Sequence, residues 1–164
     1  MCMRYVNAVT TCYSSMNTSN DNILSFNMPV NGVDVKDRDV PQIDKLIVLC
    51  QFNFLGTSDP QKKEFSVLEN KDKIDIVIRL TKCSKDPSQR LGYDLDSFSL
   101  DFNKIYQENQ QQTACFDFYD YMRIINVTNL PLPHGTGKYV IKTLIKKSNE
   151  PNYTIQSMTN LTIS

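Results

Sequence analysis

Apolar and β-branched residues recur along the chain in short alternating runs, each bounded by turn-forming clusters. Alternation of this kind predicts β-strands, where successive side chains point to opposite faces. The cleanest run is residues 73–82 (KIDIVIRLTK), in which Ile74, Ile76, Ile78 and Leu80 share one face and Lys73, Asp75 and Arg79 the other. Residues 45–55 (KLIVLCQFNFL) are almost continuously apolar before they alternate, which predicts a central strand buried on both faces. Residues 4–13, 23–30, 94–102, 116–127, 137–147 and 153–163 complete the set of strand-like segments.

The intervening segments carry turn chemistry. Residues 14–22 are Ser, Thr, Asn and Asp with one Met, Asn31-Gly32 ends the second run, and residues 34–42 are charged and close on a proline. Pro87 lies in a polar loop, and Asn149-Glu150-Pro151-Asn152 predicts a hairpin. Asn129-Leu-Pro-Leu-Pro-His-Gly-Thr-Gly137 holds two prolines and two glycines and predicts irregular backbone. Only residues 104–113 have mild helical character. Amphipathic helices between the strands would signal a parallel α/β sheet, and none is present in the pattern. The expectation is one mainly β domain over residues 1–164, an antiparallel β-sandwich of about seven or eight strands with at most one short helix.

Several of these features coincide with a layout seen elsewhere. The strand from Val6 ends near Ser15 in a Ser- and Asn-rich turn, and Leu24 to Pro29 leads into an apolar-Pro step. Leu130-Pro131-Leu132-Pro133 then precedes Gly137-Lys138-Tyr139, a Pro-rich linker into Gly-x-Tyr. In this the chain resembles a family of small uncharacterised bacterial β-sandwich proteins, a domain of unknown function. The resemblance implies the fold and supplies no activity. Its physical content is that prolines carry the chain across a sheet edge, glycine allows the turn, and the tyrosine packs beneath it. The long Asn- and Gln-rich loops depart from the family's usual pattern.

Charge and cysteine usage narrow the setting. The 18 basic and 18 acidic residues leave a formal net charge of +0, which argues against a nucleic-acid or anionic-membrane partner. The five cysteines, Cys2, Cys12, Cys50, Cys83 and Cys115, are odd in number, widely spaced and free of Cys-x-x-Cys. Such usage is unlike a disulfide framework, and those in apolar runs read as small buried hydrophobes. With no apolar leader after a basic start, the expected location is cytoplasmic. Asn-x-Ser/Thr triplets at Asn17, Asn126, Asn152 and Asn160 then read as compositional noise.

Candidate chemistry is sparse. His134 is the single histidine, and a dyad with Cys115 or Cys83 competes with an exposed turn residue between Pro133 and Gly135. Gly135-Thr-Gly-Lys138 lacks the upstream glycine and the following Ser or Thr of a phosphate loop, and it feeds a strand. Asp34, Asp37 and Asp39, with Asp94, Asp96 and Asp101, suggest calcium loops. Lys36 and Arg38 neutralise the first group, and no EF-hand spacing exists. Asp117 and Asp120 face opposite sides of a strand and make a poor hydrolase pair. Lys142, Lys146 and Lys147 read as an edge protected against aggregation.

The densest aromatic patch is Phe116, Phe118, Tyr119 and Tyr121. Its two tyrosines share a face and form the candidate interaction surface, against the plainer reading of a strand packed on both faces. No cofactor or metal is expected. These features favour a non-enzymatic interaction or assembly module, with a protein partner or a second copy as the occupant. A ligand-binding sandwich for carbohydrate or calcium is the alternative, and a hydrolase comes third.

Overall fold

A computed structural model describes residues 6–19, 24–35, 39–55, 72–86, 91–109 and 118–164. Its strands are β1 (Val6–Tyr13), β2 (Met16–Thr18), β3 (Leu24–Phe26), β4 (Gly32–Val33), β5 (Gln42–Leu55), β6 (Lys73–Lys82), β7 (Gly92–Asp101), β8 (Phe118–Pro131), β9 (Gly137–Lys147) and β10 (Thr154–Ile163). One helix, α1 (Phe102–Asn109), follows β7. The fold is mainly β, and the long strands among the described residues are β1 and β5 to β10.

Two sheets face one another. The smaller has the order β1-β5-β8 and is antiparallel throughout. The larger has the order β4-β10-β9-β6-β7 and is antiparallel apart from the short β4–β10 pair. Strands β2 and β3 form a separate antiparallel ribbon, whose Phe26 ring sits 4.7 Å from that of Tyr13.

The alternation read from the sequence decides which residues meet between the sheets. Val6, Ala8 and Cys12 of β1 and Val48, Cys50, Phe52 and Phe54 of β5 point inward. They meet Ile74, Ile76, Ile78 and Leu80 of β6 and Tyr139, Ile141 and Ile145 of β9 in one hydrophobic cluster. Each of these side chains contributes about 1.5–3 kcal/mol through burial, except for smaller contributions from Ala8 and the cysteines. Strand β5 is buried on its outer face as well at Ile47 and Leu49, as its continuous apolar run predicts.

Among the described residues two buried polar side chains interrupt the cluster, Thr10 and Thr143. Their hydroxyl oxygens lie 2.9 Å apart across the sheets, and that of Thr10 is also 3.2 Å from the Ser157 hydroxyl and 3.8 Å from the Cys50 sulfur. Burial is tolerated because each hydroxyl has a partner.

The sandwich is closed unequally along its two sides. On one side β1 and β10 approach, and side chains of β10 satisfy carbonyls of β1: Gln156 Nε2 donates to Val6 O at 2.8 Å and Thr159 Oγ1 to Thr10 O at 2.7 Å. On the other side β7 and β8 are the last strands of their sheets among the described residues. Helix α1 begins at the foot of β7. Asp101 caps it by accepting from the backbone N–H groups of Asn103 and Lys104, and Phe102 packs edge-on against Phe54 at 5.3 Å.

Four sequence expectations are corrected. Residues 14–22 are not turn throughout but hold β2, and the second run narrows to β3, three residues long. The segment from Asn129 is strand as far as Pro131. Asn129 accommodates this by adopting a φ of 51°, and Pro131 is tolerated because β8 has a ladder on one side only. Lys142, Lys146 and Lys147 do not guard an edge, since β9 lies between β10 and β6. Lys142 and Lys146 project instead from the outer face of a central strand, and Lys147 pairs with Asp72 at 3.1 Å.

Candidate interaction surface

The tyrosines singled out from the sequence point toward the sandwich interior. Tyr119 and Tyr121 are half-buried and pack against the hydrophobic cluster, with ring centroids 6.4 Å apart. Tyr121 lies 5.7 Å from Phe98, and Tyr119 meets Phe102 edge-on at 5.9 Å. Alternation places Asp120 and Met122, not the tyrosines, on the outer face of β8. Phe116, Asp117, Cys2 and Cys115 lie outside the described residues, as do Lys36, Asp37 and Arg38.

The turn after β8 is built around Tyr139. Its ring is buried, and its hydroxyl donates to the Gly135 carbonyl at 2.6 Å, while Gly135 and Gly137 take φ values of 75° and 132° that favour glycine. Burial pushes the Tyr139 hydroxyl up to about 12. Lys82 Nζ donates to the carbonyl of His134. The exposed His134 ring faces Tyr93, with centroids 5.9 Å apart, and no hydrogen bond joins it to Cys83. The histidine therefore has neither a nucleophile nor an orienting carboxylate beside it among the described residues.

The acids are dispersed rather than gathered. Asp34 accepts from the Ser164 hydroxyl, Asp94 pairs with Arg79, Asp96 pairs with Arg123, and Asp101 caps α1. No group of three or more His, Cys, Asp or Glu side chains that could hold a metal is formed among the described residues. Cys12 and Cys50 are buried, and Cys83 is exposed. Burial pushes the Cys12 thiol up to about 12, with the neighbouring Cys50 thiol adding to the rise. It pushes that of Cys50 to about 11, where the Thr10 hydrogen bond opposes the rise and Asp96 adds to it.

What remains are the two outer faces. On the smaller sheet, Asn7, Gln51, Asn53 and Asp120 line an open hollow of about 470 Å³ with Val9 and Met122, and Asn53 Nδ2 donates to Asp120 at 2.6 Å. On the larger sheet, an apolar row crosses three strands: Ile155 of β10 pairs with Leu144 of β9, which pairs with Val77 of β6. Ile155 is 43% exposed, and Met158 and Tyr153 beside it are 64% and 42% exposed. Lys142 pairs with Met158, and Lys146 Nζ lies over the Tyr153 ring at 5.1 Å. A lysine thus flanks the row on each side along β9.

This outer row was legible in part. Alternation in residues 137–147 places Leu144 away from the core, but in residues 153–163 it sets Ile155 on the face of Leu161 and Ile163 and opposite to Met158. Only the register shift between Ile155 and Ser157 brings Ile155 and Met158 to one outer face beside Leu144. The fold and this surface together define a small β-sandwich whose outer apolar row is exposed at its β10 end and buried at Val77, with Lys142 and Lys146 beside it and Asp75 opposite Lys146. No protein-family model matches the chain, and no curated protein matches it. Among the described residues no helix is long and apolar enough to cross a membrane.

Proposed function

We propose that this chain is a non-enzymatic interaction module that docks a protein partner on the outer face of its larger sheet. The observation that carries the reading is the exposure of Tyr153, Ile155 and Met158 close together at the start of β10, where it pairs with β9. Contiguous apolar side chains with a charged rim are what association surfaces present, whereas scattered exposed apolar residues need no explanation. Lys142 and Lys146 favour a partner whose contacting rim is acidic. Placing a photo-crosslinking residue at Met158, and in a control at Val9 of the opposite face, tests this in cell extract of the source. A discrete adduct at position 158 that disappears in the Ile155→Glu variant is the expected result. Equal labelling at both positions, or none, overturns it.

The hollow on the smaller sheet favours a second reading, a saccharide ligand. Three carboxamides and a carboxylate offer donors and acceptors to vicinal hydroxyls, and Val9 and Met122 offer apolar contact to ring C–H groups. A glycan panel that raises the melting temperature of the protein, but not of an Asp120→Ala variant, would favour it over the docking surface.

A further inference from the structure

Strands β7 and β8 each have one edge without a ladder among the described residues, and those two edges flank the same side of the sandwich. Open edges present rows of backbone N–H and C=O groups that template pairing with another chain, and strands of 10 and 14 residues are long for that position. Two local features interrupt them. In β7, Ile78 pairs with Asp96 and Arg79 with Asp94, so Leu95 is an extra residue and the strand bulges. Both edges also carry a charge that points inward. Asp96 is opposite the buried Ile78 and Arg123 opposite the buried Cys50, so each lies on the core-facing side of its strand.

These charges meet across the opening. Arg123 Nε donates to Asp96 Oδ2 at 2.7 Å, and its guanidinium carbon lies 4.9 Å over the Phe98 ring. The side chains are 40% and 20% exposed, so the pair is partly screened and adds little to stability. Its position answers a different need. A second copy docking edge to edge would extend each sheet across the opening, displacing the pair from solvent and burying two charges.

We propose that the Asp96–Arg123 pair, with the bulge at Leu95, guards the β7 and β8 edges, which carry no second ladder among the described residues, against pairing with a second copy of this chain. The inference is independent of the docking surface above, because it concerns edges rather than a face. Its test compares three variants in a Met158→Glu background, which removes association through the outer apolar row. The variants are Asp96→Leu/Arg123→Met, the neutral Asp96→Asn/Arg123→Gln, and the reversed Asp96→Arg/Arg123→Asp. Light scattering after size exclusion over a range of concentrations gives the mass, circular dichroism confirms the fold, and hydrogen exchange locates any new contact.

The apolar pair is expected to rise toward about twice the background mass or beyond, with new protection confined to amides of β7 or β8. The reversed pair keeps inward charges and is expected to stay at the background mass. Should the apolar pair not fold, the neutral pair decides alone, by gaining mass or not. A folded apolar pair that remains at the background mass overturns the proposal, as does a neutral pair at that mass where the apolar pair does not fold. Association in the reversed pair, or new protection away from β7 and β8, overturns it too.

Discussion

Thr10 and Thr143 share a buried hydrogen bond of 2.9 Å that joins the first strand of the smaller sheet to a central strand of the larger. Their partners are unequal. Thr10 also touches the Ser157 hydroxyl and the Cys50 sulfur, so it is the hub of the group. Replacing Thr10 with Val leaves Thr143 stranded in an apolar interior and is expected to cost about 1–3 kcal/mol. Thr143→Val leaves Thr10 its other contacts and costs less, and the double variant costs less than the sum. Urea denaturation of the three variants checks the order, and an equal cost for both single changes would contradict it.

Tyr139→Phe keeps the buried ring and removes only the donor to Gly135 O. The expected loss is about 1 kcal/mol. Gly137→Ala forces a side chain onto a φ of 132° and is expected to destabilise at least as much, about 1–3 kcal/mol, as a drop in thermal midpoint.

Alkaline pH acts through the core. Both thiols ionise more readily unfolded, at an ordinary value of 9.0, than folded, where burial holds them at about 12 for Cys12 and about 11 for Cys50. Between these values the unfolded chain releases protons that the folded one retains, so stability falls as pH rises above 9.0. The limiting slope is about 1.4 kcal/mol per pH unit for each thiol. Denaturation between neutral pH and about 10.5 is expected to show this decline, and a Cys12→Val/Cys50→Val variant to flatten it. In the native protein at neutral pH, a thiol reagent is expected to modify the exposed Cys83 while sparing Cys12 and Cys50.

Asp101 closes β7 and opens α1 by accepting from two N-terminal amides. Asp101→Ala is expected to cost about 0.5–2 kcal/mol and to raise hydrogen exchange in α1 selectively. Exchange rising evenly over the whole molecule would show that the cap acts globally.

Period-two alternation carried most of the architecture in the sequence. Residues 73–82 became β6 with the same limits, and Ile74, Ile76, Ile78 and Leu80 are all fully buried. Helix α1 was visible only as a weak tendency, because its signal is local: Asp101 as a cap ahead of Phe102, within a run that also alternates. The positions of Tyr119, Tyr121 and the lysines of β9 were not legible. Alternation says which residues share a face, but sheet order decides whether that face meets a core, a neighbour or solvent. For Tyr119 and Tyr121 the decision came from Phe98 and Phe102, and for Lys142 from β10 beyond it.

The seam between β1 and β10 has a kinetic consequence. The carbonyls of Val6 and Thr10 find their donors in Gln156 and Thr159, so a chain leaving the ribosome carries β1 without these companions until β10 has been made, 150 residues on from Val6 in the case of Gln156. Loop closure over such separations is slow, and a half-made sandwich displays the apolar side of β5 meanwhile. Closure of this seam therefore follows synthesis of β10, later than the contacts of a locally wired helical domain would form.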